Sequence, residues 1–137
     1  MSDASFNRAV AEIVDRDARF HPRAYFFVRL VLDYTVGRLN KPDHGPQRHI
    51  TGQELLESFR ELALREFGPL ARTVLAEWGL RRTEDVGAVV FNLVGQGVMG
   101  KRSEDTAEDF AGGFRFDTAF DAPFLPPSRR AAVNSEQ

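Results

Sequence analysis

Residues 25–34, Tyr25-Phe26-Phe27-Val28-Arg29-Leu30-Val31-Leu32-Asp33-Tyr34, decide the fold. Pro22 stands just ahead of them, where a first helical turn tolerates its missing amide hydrogen, and the apolar positions run nearly all the way round a helical wheel. This predicts the central helix of a bundle. Arg29 and Asp33, spaced i, i+4, are placed to pair across one turn. Those two charges also interrupt the apolar run 24–36, which is shorter than the roughly 20 residues a membrane span requires. The amino terminus has neither a basic leader nor a long apolar stretch, so a cytoplasmic protein without a membrane partner is expected.

Toward the amino terminus, Phe6, Val10, Ile13 and Val14 recur at helical spacing within 5–19 and predict a surface helix with one buried stripe. Toward the carboxy terminus, Pro42 and Pro46 turn 37–48 into a loop, which ends where Thr51 and Glu54 form the pattern of a capping box. Ile50 and Leu55 suit the accompanying hydrophobic staple. A third helix follows with Leu55, Leu56, Phe59, Leu62, Ala63 and Phe67 inward, and Gly68-Pro69 ends it. A short fourth helix is expected to face the core with Leu70, Val74, Leu75 and Trp78 before Gly79 stops it. Thr83 is placed to cap a fifth helix whose inward stripe is Val86, Val89, Val90, Leu93 and Val94.

Beyond Gly100 the chain is acidic, with one helical turn expected between Ser103 and Phe110. The period then changes: Phe114, Phe116, Thr118 and Phe120 alternate with Arg115, Asp117 and Ala119, which predicts a strand paired with 98–102. The expected fold is therefore mainly α: five helices in a single domain over 1–121, a small carboxy-terminal β-hairpin and a winged-helix-like second half. Residues 122–137, with Pro123, Pro126 and Pro127, read as a flexible tail.

Composition narrows function mostly by exclusion. The 137 residues carry a net charge of −2 and no cysteine, which removes disulfides, thiol nucleophiles and thiolate-held metals, and no cofactor is expected. His21, His44 and His49 lack the spacing of a metal site. No phosphate loop, nucleophile elbow or dinucleotide fingerprint is present, and the carboxylates lie in polar runs, so no catalytic residues are expected. In a winged-helix reading, 86–96 would be the recognition helix, yet it offers Asn92 and Gln96 and no basic side chain. Nucleic acid is thus an unfavoured partner; if it binds, Arg81, Arg82, Lys101 and Arg102 are the phosphate contacts. Lys41, Arg48 and His49 mark a basic loop able to hold an anion or an acidic partner.

The blocks 48–56, Phe67-Gly68-Pro69 with Thr73-Val74-Leu75, Trp78-Gly79, Thr83-Glu84-Asp85 with 90–94, and Phe114-Arg115-Phe116 extend across most of the chain. Together they resemble an uncharacterised conserved bacterial family known chiefly from planctomycetes and verrucomicrobia. The resemblance implies that Arg48, His49, Gln53 and Glu54 form a recurring motif, and it brings no activity or catalytic residue. The functional expectation is a non-catalytic protein-interaction module with a protein partner. The alternatives are a winged-helix nucleic-acid binder and a small-anion or enzymatic site at 41–49.

Overall fold

Helix α2, Pro22–Leu39, runs through the middle of the structure, a computed structural model that describes residues 3–40, 50–99 and 107–126. Pro22 occupies its first turn, and the exposed His21 caps it, Nδ1 accepting the Arg23 N–H at 3.0 Å. Ala24, Tyr25, Phe27, Val28 and Val31 are buried against α1 (Asp3–Arg16), α3 (Gly52–Phe67) and α5 (Thr83–Gly95). The expectation of an all-round buried helix is corrected on one face, where Phe26 and Leu30 are 40% and 50% exposed. Arg29 does not pair with Asp33: it lies over the Phe6 ring and reaches Asp3 at 3.3 Å, because α1 runs alongside and offers a nearer carboxylate.

Helix α3 begins as its sequence predicts. Thr51 Oγ1 accepts the Glu54 N–H at 3.1 Å while Glu54 Oε1 accepts the Thr51 N–H at 2.9 Å, closing the capping box, and Ile50 and Leu55 are both buried. Reciprocal capping of this kind stabilises a helix start by about 1 kcal/mol. After Gly68, a 3-10 turn (Gly68–Leu70) leads into the short α4 (Ala71–Glu77). Leu70, expected to face the core, is 64% exposed; it falls in the turn before the helix, where the stripe of α4 has not yet begun. Gly79 takes φ +91°, and a Cβ there would lie 2.4 Å from the Arg19 carbonyl oxygen, so the turn into α5 admits only glycine.

The segment 114–120 is not a strand, and no strand occurs among the described residues. Phe114 and Arg115 are irregular, and a π-helical turn, Asp117–Asp121, follows and leads into a 3-10 turn, Ala122–Phe124. The cause lies in the side chains: Phe116, Ala119 and Phe120 satisfy the i, i+3, i+4 face of a helix as well as Phe114, Phe116 and Phe120 satisfy alternation. The helical choice buries Phe116, Ala119 and Phe120 together, setting Phe116 and Phe120 edge to face with centroids 5.0 Å apart. The proposed partner strand falls partly outside the described residues; Val98 and Met99 are bends that follow the turn after α5.

The core is an aromatic chain. Trp78 and Phe67 meet Phe27 of α2, Phe27 meets Phe59 of α3 edge to face at 5.5 Å, and Phe59 meets Phe116 and Phe120. Such pairs are worth about 0.5–1.5 kcal/mol each beyond the area they bury. They connect the helical bundle to the closing segment 110–124. Among the described residues no helix is long and apolar enough to cross a membrane.

Candidate functional site: an arginine-lined cleft

Four arginines from three parts of the chain meet in one open cleft of about 750 Å³. Arg72 and Ala76, one turn apart, supply one wall from α4; Arg81, Arg82 and Glu84 supply the second from the start of α5; residues 112–117 supply the third. A shallower hollow of about 500 Å³ adjoins it and shares Arg72, Ala76 and Arg81.

Local bonding explains why the walls meet. The carboxylate of Asp85 accepts the backbone N–H groups of Arg81 (2.9 Å) and Arg82 (3.1 Å), fixing the turn from which both side chains emerge. A carboxylate in the first turn also matches the positive end of the helix dipole. Thr83 does not cap α5, as its position in the sequence suggests. It is buried, and its hydroxyl accepts the Gly113 N–H at 3.1 Å, tying α5 to the third wall. A Cβ at 113 would lie 2.7 Å from Leu56 Cδ1, so any larger residue there obliges that methyl to shift.

The arginines divide into two kinds. Arg72 pairs with Asp121 at 2.6 Å and Arg115 with Asp117 at 2.5 Å, so their charges are partly met within the chain. Burial raises the pKa of Asp117, but the Thr118 N–H and Arg115 more than offset it, and the carboxyl titrates below its ordinary range. Arg81 and Arg82 are exposed, and among the described residues neither guanidinium has an ion-pair partner. Guanidinium groups stay protonated at any working pH and present forked donors, so the cleft is equipped to recognise carboxylate or phosphate rather than to move protons.

Lys41, His44, Arg48 and His49 lie outside the described residues, as do Lys101 and Arg102. Asn92 donates to Asp17 and to Tyr25, both at 3.1 Å, and Gln96 donates to Glu12; these two side chains are thus turned toward α1, α2 and the turn between them. At that junction the Arg19 guanidinium, bonded to both Asp17 oxygens, holds the Asp17 carboxyl well below the usual range, and burial pushes the Tyr25 phenol up. Among the described residues, no three His, Asp or Glu side chains are grouped to hold a metal. Arg72 and Arg115 were not singled out from sequence, and no local motif points to them; only the packing of 110–121 against α4 brings them to Arg81 and Arg82.

Comparison with family models, with curated proteins and with solved structures returns no match for this chain.

Proposed function

We propose that this protein is a non-catalytic interaction module whose arginine-lined cleft receives an acidic segment of a partner protein. The observation that carries the reading is the convergence of Arg81 and Arg82, neither with an ion-pair partner among the described residues, on a cleft already lined by Arg72 and Arg115. In a chain of net charge −2 this is a concentrated reversal of sign. Glu84 and Asp117 at the cleft and Asp121 in the adjoining hollow favour a short acidic segment, which can place its carboxylates between them, over a long polyanion that would run across them.

The test is fluorescence anisotropy with a labelled oligoglutamate peptide and, as a second arm, a labelled DNA duplex. Peptide binding that weakens with salt, and about tenfold or more when Arg81 and Arg82 are both changed to alanine, is the expected result; hydrogen bonds to charged groups contribute about 1.5–3 kcal/mol each. Peptide affinity unmoved by the double substitution overturns the assignment. Tighter binding of the duplex through the same two arginines replaces it with the nucleic-acid alternative.

A further inference from the structure

The face of α2 turned away from the core is ordered in a way that burial inside the monomer does not explain. Arg23, Phe26, Leu30, Asp33 and Gly37 are all exposed, and their spacing alternates three and four residues, the seam pattern of a helix that packs on another helix. Phe26 is braced from beneath by the buried Phe6 ring, edge to face at 5.2 Å, so its exposed edge is held in place. Arg23 and Asp33 carry opposite charges at the two ends of this apolar pair, and among the described residues neither side chain has an ion-pair partner.

The seam is symmetric about Val28: Phe26 and Leu30 each lie two residues from it, and Arg23 and Asp33 each lie five. A second copy laid antiparallel across this face, with its two-fold axis level with the buried Val28 midway between Phe26 and Leu30, therefore sets Phe26 against Leu30 of the other copy. The same operation sets Arg23 against Asp33 at both ends. A parallel arrangement would set arginine against arginine and aspartate against aspartate.

We infer that α2 is a self-association surface, forming an isologous antiparallel homodimer in which Phe26 and Leu30 are the apolar centre and Arg23 and Asp33 fix register and direction. The surface shares no residue with the arginine cleft, so the dimer would carry two clefts and both could be occupied at once.

The test is sedimentation equilibrium of the full chain. The wild type is expected to dimerise with rising concentration, and Leu30→Glu to be monomeric with unchanged helicity by circular dichroism. Arg23→Asp and Asp33→Arg should each weaken dimerisation at least about tenfold, since each opposes like charges at both ends of the seam. The decisive arm mixes those two variants: one then presents two acidic ends and the other two basic ends, and a heterodimer should form where neither variant associates alone. A wild type that stays monomeric up to about 1 mM overturns the inference. So does a dimer unaffected by Leu30→Glu, or a pair of charge variants that fails to reassociate on mixing.

Discussion

The two sides of the aromatic chain are held in different ways. On the bundle side, α2 and α3 each form from signals within their own sequence, a proline at the first turn of one and a reciprocal cap on the other, and then meet through Phe27 and Phe59. On the other side, residues 110–124 contain only a π turn and 3-10 turns, with Phe116, Phe120 and the buried Phe110 inserted into the core. The helices of the bundle bring their own backbone hydrogen bonds; the closing segment depends on its rings. The contrast bears on function, because the third wall of the arginine cleft belongs to that closing segment.

Phe27→Ala and Phe120→Ala break this comparison most directly. Each removes a buried ring and should cost about 3–5 kcal/mol. Loss of Phe27, which touches Phe59, Phe67 and Trp78, should lower amide protection throughout α2, α3 and α4. Loss of Phe120, which touches Phe59, Phe114 and Phe116, should release 112–121 preferentially while α2 and α3 keep their protection in native-state hydrogen exchange. Equal loss across the whole chain for both variants would show that the two sides form one cooperative unit.

Gly113→Ala makes a smaller change at the boundary between the two sides. Its Cβ would press on Leu56 Cδ1 at 2.7 Å and on Thr83 Cγ2 at 3.2 Å, and overpacking of this kind costs about 1–3 kcal/mol. Pushing the third wall outward should also weaken oligoglutamate binding, although no charge is altered. Full stability with unchanged peptide affinity would show that the Leu56 side chain yields to the added methyl and the wall stays in place.

The same contrast governs how much could be read in advance. Pro22, the Thr51 and Glu54 pair and Gly79 each act within one turn of chain, and each does in the structure what its local chemistry predicts. Phe114 to Phe120 fits two periods at once, and it is the helical one that sets Phe116 and Phe120 against Phe59 across the core. Thr83 was legible as a cap because Thr favours that position; its hydroxyl is claimed instead by Gly113, a partner distant in sequence. The candidate site divides likewise. Arg81 and Arg82 stand out as a sequence pair, while Arg72 and Arg115 join them only through tertiary packing. Phe26 and Leu30 read as core because composition cannot say which side of an apolar helix faces water.

The smallest expected effect concerns the bundle side, where Asp17 joins the end of α1 to α2 and α5. Arg19 donates from Nε at 2.9 Å and from Nη2 at 2.8 Å, and Asn92 donates at 3.1 Å while also holding the Tyr25 hydroxyl. These bonds lower the Asp17 pKa in the folded chain, the Arg19 side chain contributing most. A depressed carboxylate pKa means that the unfolded chain takes up a proton first as pH falls. The Asp17 contribution is therefore complete above the ordinary carboxylate pKa of about 3.9 and declines as pH drops below that toward the folded value. Asp17→Asn removes the charge but keeps the shape, so the variant should melt below the wild type at pH 7, and the difference should shrink between about pH 4 and pH 2. A melting difference that stays constant over that range would mean that Asp17 acts through its shape and hydrogen bonds alone, and that its charge adds nothing to the junction of α1, α2 and α5.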